Sequence, residues 1–326
     1  MTKTSQSTCV DPRAAPAVMG VDVASMYLDA AAYGSSGVVR FANTDGAVAK
    51  WLRALPAGSI IALESTGRYH ERLAFAAHAK GFTVYLLNPR DVRHYARAMG
   101  MRGKTDKLDA QILARYAAHE GTELRAWVPP SPELRRLEDL LRRRGTLVKH
   151  QGAIRQSLAD STLLRASAKP LMKEFTKLLD CIDQQIAQAA AELNLDCEGF
   201  ERITSVPGIG LLSGSALLGV FQRLGERSAD AVIAFLGLDP RPMDSGKKVG
   251  LRRLSKRGPA EWRRLLFNAA MSASRTKAWS ATYERERAKG LPRTAALNVL
   301  ARKLVRVAFG LFKSGQHFDS SKLAPP

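Results

Sequence analysis

Two short apolar runs, each carrying a single acid, constrain the fold of this chain more than any other feature. Val18-Met-Gly-Val-Asp-Val23 sets Asp22 inside what reads as a buried strand, and Ile60-Ile-Ala-Leu-Glu64 ends on Glu64. A charge in such a position is costly unless it is paired or binds a cation. Around these runs the hydrophobic pattern gives a regular order of elements. Val18 to Ala32 reads as a strand, a tight bend and a second strand, and Gly37 to Phe41 as a third. Asn43-Thr44 can cap a helix from about Asp45 to Leu55, with Val48, Trp51, Leu52 and Leu55 on one face. After the strand at 60–64, a helix from about Tyr69 to Lys80 ends at Gly81. Phe82 to Leu87 is a further buried strand, stopped by Asn88-Pro89. Helices at about Val92–Met99 and Thr105–His119 complete the region, and the first 16 residues read as a loose polar tail.

Three strands in a meander, followed by helix–strand–helix–strand–helix, is the order of an RNase H-like α/β domain: a mixed sheet with helices on both faces. In such a sheet the first and fourth strands are neighbours and the last helix crosses them. Asp22, Glu64, Asp106 and Asp109 would then converge, the last two lying three apart on one helix face. Four acids at one point need a hard cation, and oxygen-only donors favour Mg²⁺ or Mn²⁺ over Zn²⁺. Such a site can hold two ions about 3.5–4 Å apart that stabilise the attacking and leaving oxygens of a phosphodiester displacement. Taken singly, Asp106 could be a first-turn acid and Asp109 a solvated helix residue. The six histidines show no ligand spacing.

Pro129-Pro130-Ser131-Pro132 marks a boundary. Beyond it lie two long helical patterns. The first carries Leu134, Leu137, Leu141, Val148, Ile154 and Leu158; the second carries Leu171, Phe175, Leu178, Ile182, Ile186, Ala189 and Leu193, with Pro170 at the corner between them. The stripe suits an antiparallel hairpin or an intermolecular coiled coil. From about Phe200 the chain is mostly helical. Ile203 to Gly210 leads into an apolar helix at Leu211–Phe221, and a short helix at Ala229–Leu236 ends at Gly237. A loop-like stretch covers 239–258, Pro259 starts a helix to about Ser274, and a last helix spans about Thr294–Lys313. The expected division is a tail at 1–16, a catalytic domain at 17–128, a helical arm at 129–196 and a basic domain at 197–326.

Fifty Lys and Arg against thirty Asp and Glu leave a net charge of +20, which points to nucleic acid as partner. Residues 197–326 hold 23 of the basic and 10 of the acidic side chains, a local excess of +13, so most phosphate contacts are expected there. No apolar run reaches the roughly 18 residues of a membrane span, and the opening residues lack the apolar core of a signal peptide. Three cysteines without a CxxC pair make no disulfide framework. The expected location is the cytoplasm, at the nucleoid.

Several stretches together resemble one known family. They are Gly20-Val-Asp22, Glu64-Ser-Thr-Gly-Arg-Tyr69, Asn88-Pro89, Lys104-Thr-Asp-Lys-Leu-Asp-Ala110, Val206-Pro-Gly-Ile-Gly210, Phe235-Leu-Gly-Leu-Asp-Pro240, Asp244-Ser-Gly246 and Ser255-Lys-Arg-Gly258. In this order they resemble the DEDD-type insertion-sequence transposases, recombinases guided by a bridge RNA, over about residues 18–318. The resemblance implies a RuvC-like N-terminal domain and Asp22, Glu64, Asp106 and Asp109 as a metal-binding tetrad. It also implies Ser245 as the nucleophile that becomes joined to DNA. Donor and target DNA, a structured non-coding RNA and a homo-oligomer (dimer or tetramer), with the arm as assembly element, are the partners it implies.

The residues bear on this reading directly. Ser245 lies in Arg241-Pro-Met-Asp-Ser-Gly-Lys-Lys248, a loop from which a hydroxyl could reach a metal site that activates it; a simple turn is the plainer reading of the same residues. Ser255, ten residues on, is the second choice. Gly208 and Gly210 open a helix in the manner of a helix-hairpin-helix, a motif that holds phosphate without reading bases. Lys104, Lys247, Lys248, Arg252, Arg253, Lys256, Arg257, Arg263 and Arg264 are the candidate phosphate contacts. Two other functions fit parts of the pattern. One is a hydrolytic nuclease or Holliday-junction resolvase that forms no covalent adduct. The other is a non-catalytic nucleic-acid-binding protein whose acids only cap and solvate.

Overall fold

The computed structural model describes residues 16–65, 67–100, 106–193, 198–242, 250 and 252–323, with the side chains of 106 and 107 outside the description. The chain divides into two compact units, Met1–Pro129 and Pro130–Pro326.

The first unit is built on a five-stranded sheet in the order β3-β2-β1-β4-β5. Its strands are β1 Val18–Val23, β2 Tyr27–Ala32, β3 Val38–Ala42, β4 Ile60–Glu64 and β5 Thr83–Leu87. The first three pair antiparallel as a meander, while β4 runs parallel to both β1 and β5. The first and fourth strands are therefore neighbours, as the element order requires.

Side-chain alternation assigns the two faces of the sheet. Met19, Val21, Val23, Leu28, Ala30, Ile61, Leu63 and Val84 pack with α1 (Asp45–Arg53) and α2 (Glu71–Ala79). The opposite face, through Ala62 and Leu87, packs on α3 (Pro89–Ala98) and α4 (Asp106–Glu120). The expected mixed sheet with helices on both faces is thus present.

Local differences from the sequence expectation have identifiable causes. Asn88 does end β5, but its side chain also accepts from the Arg90 amide (2.9 Å), and Pro89 takes the first helical position. Helix α3 therefore starts three residues earlier than hydrophobic spacing suggests. At α1, Thr44 is the N-cap residue yet makes no side-chain cap bond. The amide of Asn43 serves elsewhere, donating to the carbonyls of Ala24 (3.0 Å) and Tyr69 (3.1 Å).

Among the described residues the second unit is helical apart from one small hairpin and the connecting loops. Helices α5 (Pro132–Ser157) and α7 (Lys169–Leu193) pack antiparallel, with the short α6 (Thr162–Ser167) between them. Pro170 lies in the first turn of α7; the corner precedes it, where the Ser161 side chain caps α6. Arg136 bonds Glu192 (2.7 Å) and Arg144 clamps both oxygens of Asp183 with Nε and Nη2 across the pair.

The base of this helical pair belongs to a larger core. Leu137, Leu141, Ile186, Ala189 and Ala190 are buried together with residues of α8 (Gly199–Thr204), α9 (Leu211–Leu224), α10 (Ala229–Leu236), α11 (Ala260–Ala273) and α13 (Arg293–Ser314). A helix not anticipated from the pattern, α12 (Ser280–Ala288), also borders it. No helix among the described residues is long and apolar enough to cross a membrane.

Candidate active site

Strand register sets the acids. Asp22 on β1 lies opposite Asp29 on β2, and Asp29 lies opposite Arg40 on β3. On the other side β1 and β4 pair up to Val21 and Leu63, so the same parallel register carried one residue on puts Asp22 beside Glu64. Adjacent strands are about 4.8 Å apart. Arg40, Asp29, Asp22 and Glu64 therefore form one row across four strands. They share the face covered by α4: Glu64 is two residues from Ala62 on that face, Asp22 and Asp29 alternate with Val21 and Leu28 of the other face, and Arg40 is paired with Asp29. Asp22 and Glu64 are half-buried at the strand ends.

Helix α4 is seated on this face by the absence of a side chain at Gly20. A Cβ there would lie 2.1 Å from the Ala110 carbonyl oxygen and 2.2 Å from the Ala114 nitrogen. Helix backbone thus rests directly on β1, two residues before Asp22. Asp109 precedes Ala110 and is half-buried, and Asp106 is the first helical residue. Polar contacts also tie α4 and the residue that follows it to the unit. Gln111 donates to the Ser36 carbonyl (3.2 Å), the Tyr33 hydroxyl meets the His119 ring (2.9 Å), and the Tyr85 hydroxyl donates to the Gly121 carbonyl (3.3 Å). Of the histidines, His119 is a packing residue in this sense, as is His78 against Trp127.

Asp22, Glu64 and Asp109 thus come from three elements to one side of the sheet. They offer only carboxylate oxygens, a donor chemistry that suits Mg²⁺ or Mn²⁺. Among the described residues no three His, Cys, Asp or Glu side chains approach closely enough to hold an ion together. The Asp106 side chain, the fourth of the set, lies outside the described residues.

Asp29 and Arg40 were not singled out by the sequence reading. The Asp29 carboxylate is almost fully buried, at 2% exposure. Both its oxygens accept from Arg40, from Nε at 2.8 Å and Nη2 at 2.7 Å, and the guanidinium lies 4.0 Å from the centre of the Tyr27 ring. The criterion that marks Asp22, an acid inside an apolar strand, applies equally to Tyr27-Leu-Asp-Ala-Ala-Ala32.

In the second unit, β6 (Pro240–Pro242) and β7 (Arg252–Leu254) pair antiparallel. The span joining them carries Ser245, Lys247 and Lys248, which lie outside the described residues, as does Lys104. The hairpin base is described in full. The Ser255 amide donates to the Asp239 carbonyl (3.0 Å), its hydroxyl donates to the Asp239 carboxylate, and the Lys256 amide donates to the Gly237 carbonyl (3.0 Å). Asp239 also accepts from Arg241 Nε (3.0 Å). Ser255 therefore fastens the hairpin to the end of α10. Gly258 passes so close to α10 that a Cβ would lie 2.0 Å from the Phe235 carbonyl oxygen.

The basic candidates fall into two groups. Arg252, Arg253, Lys256 and Arg257 are exposed on β7 and just after it. Arg263 instead donates to the carbonyls of Leu236 and Gly258, and Arg264 forms a two-pronged pair with Glu261. The hydrogen bonds to Glu261 raise the Arg264 pKa above its ordinary value. At the turn before α9, Gly208 has φ +99°, and a Cβ there would lie 2.5 Å from that of Ala273. The turn is thereby packed against α11. Gly210 has open space where a Cβ would point and is the N-cap residue of α9, its amide donating to the Ser213 hydroxyl (3.1 Å).

Comparison with known proteins converges on one family. Residues 19–165 match a family model described as a transposase, of the DEDD type and the IS110 group, and residues 200–285 match the transposase IS116/IS110/IS902 family. The chain is 30% identical over 271 residues to the pilin gene-inverting protein of Moraxella lacunata, covering 79% of this chain and 81% of that one. It is 28% identical over 232 residues to the transposase for insertion sequence element IS1111A of Coxiella burnetii, 60% of each chain. An insertion element IS116 protein of Streptomyces clavuligerus is 31% identical over 164 residues, 49% of this chain and 40% of its own length. With two family models matched in order and a relative aligned over four-fifths of both chains, this protein belongs to the IS116/IS110/IS902 family of transposases, enzymes of DNA recombination.

Proposed function

We propose that this transposase cuts and rejoins donor and target DNA through a covalent phosphoserine link, with Ser245 as nucleophile and Asp22, Glu64, Asp106 and Asp109 as a RuvC-like metal-binding set. The observation that carries the reading is the meeting of Asp22 and Glu64 at adjacent positions of one sheet face, under the helix that bears both remaining acids. Three elements distant in sequence deliver carboxylates to the same side, and a merely capping or solvating role demands no such arrangement.

Bound at these carboxylates, Mg²⁺ would polarise a phosphodiester and stabilise the oxygen that leaves it. The residues supply the rest. The Ser245 hydroxyl attacks phosphorus, a P–O bond of the DNA backbone breaks, and the departing oxygen takes up a proton to become a free hydroxyl. The serine-bound phosphate conserves the bond energy, so attack by a hydroxyl of another strand releases the serine and reseals the backbone. Arg252, Arg253, Lys256 and Arg257, exposed beside the Ser245 span, hold nucleic-acid backbone there. Donor and target choice rests with a bridge RNA, and one subunit's acids work with another's serine in a homo-oligomer joined through the α5–α7 arm. The protein acts at the bacterial nucleoid.

A trapping assay tests the reading, using labelled nicked donor DNA, the purified protein, its flanking RNA and Mg²⁺. A protein–DNA adduct is expected for wild type and for Ser255→Ala, and its loss for Ser245→Ala and Asp106→Ala. Cleavage without adduct, indifferent to Ser245→Ala but lost in Asp106→Ala, would instead identify a hydrolytic nuclease.

A further inference from the structure

We infer that Asp29, clamped by Arg40, is a positioning residue of the acidic site: a fifth carboxylate that organises what binds at Asp22 without being a direct ligand. The inference rests on the metal-binding reading above. A buried carboxylate is expensive, and nothing in the sheet's architecture demands one at this place. The other face of β2 is filled by Leu28 and Ala30, which lock the same register without charge. Asp29 is nevertheless 2% exposed and in register with Asp22, where directly opposed residues stand about 4.5–5.5 Å apart at Cα. It is thus as near to Asp22 on one side as Glu64 is on the other.

Charge explains why the two acids tolerate this proximity. A fifth free carboxylate would add repulsion to an already acidic cluster. Arg40 cancels that charge by a two-pronged contact of 2.8 and 2.7 Å and is itself steadied over the Tyr27 ring at 4.0 Å. One strand, β2, lies between Arg40 and Asp22, two strand spacings or about 10 Å along the backbone, and the guanidinium directs both Nε and Nη2 to Asp29. The clamp also fixes the carboxylate plane, since a guanidinium fork holds both oxygens at once. Of about four lone-pair positions on the carboxylate, the fork takes two, which leaves acceptor capacity on the others. Asp29 is therefore built as an acceptor of fixed orientation next to Asp22, suited to holding the water layer around a hard cation. Outer-layer partners of this kind set ion affinity by about 10–100-fold in metal sites generally.

The test measures Mn²⁺ binding by electron paramagnetic resonance on the full chain without nucleic acid, alongside thermal melting. The variants are Asp29→Asn, the double variant Asp29→Asn/Arg40→Gln and Asp22→Asn. The double variant replaces the ion pair by a shorter neutral amide pair, so it removes the acid without leaving a buried charge unpaired. Expected is a Mn²⁺ affinity about 10-fold or more weaker in both Asp29 variants, with the double variant melting close to wild type. Wild-type Mn²⁺ affinity in the double variant would overturn the inference and reduce the pair to a strand fastener, while loss of binding in Asp22→Asn would still uphold the metal site. Undiminished binding in Asp22→Asn would overturn the metal site itself, and the role of Asp29 with it.

Discussion

Gly20 and Ala110 touch through their backbones: the carbonyl of Ala110 sits where a side chain on Gly20 would begin. This contact decides how far Asp109 stands from Asp22, because each acid is within two residues of it. Gly20→Ala would force α4 outward by more than an ångström. Overpacking costs about 1–3 kcal/mol, and a misplacement of this size costs about 100-fold in rate. DNA cleavage by the Gly20→Ala protein is therefore expected to fall about 100-fold, while circular dichroism still reports a folded sheet. Cleavage at the wild-type rate would show that the seat of α4 is irrelevant to chemistry.

Asn43 links the turn after β1 to the turn after β4, the two turns that follow Asp22 and Glu64. Asn43→Ala leaves the Ala24 and Tyr69 carbonyls without this donor, and losing a buried partner costs about 1–3 kcal/mol. A lower denaturation midpoint is expected together with slower cleavage. Thr44→Ala, which removes no side-chain cap bond, should change neither.

Ser255 and Asp239 give the hairpin its anchor. Ser255→Ala is expected to destabilise by about 1 kcal/mol and to keep adduct formation, since its hydroxyl bond is structural. Asp239→Ala, which also releases Arg241, should cost more in hairpin order, read by protease sensitivity after residue 242. An adduct lost only in Ser255→Ala would reverse the roles of the two serines.

Salt dependence of DNA binding separates the arginines. Each lost phosphate contact lowers the slope of log K against log salt by about one. Arg252→Ala and Arg253→Ala are each expected to do so, both being exposed on β7. Arg264→Ala should leave the slope unchanged, because Glu261 already holds that guanidinium and raises its pKa.

The order of elements in the first unit was legible because β1, β4 and β5 are short apolar runs ended by turn or cap residues, and α1 carries a clear stripe of Val48, Trp51, Leu52 and Leu55. Asp22 and Glu64 could be found for the same reason: they interrupt apolar runs. Asp29 meets the same criterion, yet its place beside Asp22 depends on the β1–β2 register and its pairing on Arg40 eleven residues away, neither of which a linear pattern shows. Arg263 and Arg264 read as part of a basic cluster, yet a helix turn points one at backbone carbonyls and the other at Glu261. Composition gives the number of cations in a stretch; only packing distinguishes those that face solvent. Gly208 belongs with them, its conformation serving the approach of α11.

The α5–α7 pair is buried at one end and bare at the other. No residue of α5 beyond Leu141 is buried, whereas Leu137, Leu141 and Ile186 sit in the main core. From Leu141 to Ser157 the helix rises about 24 Å at 1.5 Å per residue. Mechanically this is a cantilever clamped at its root. A load applied near Leu163 or Leu171, both exposed at the far end, acts with a long lever on the packing of Leu141 against Ile186. Whatever grips the tip therefore pulls on the core against which Leu254 of β7 packs.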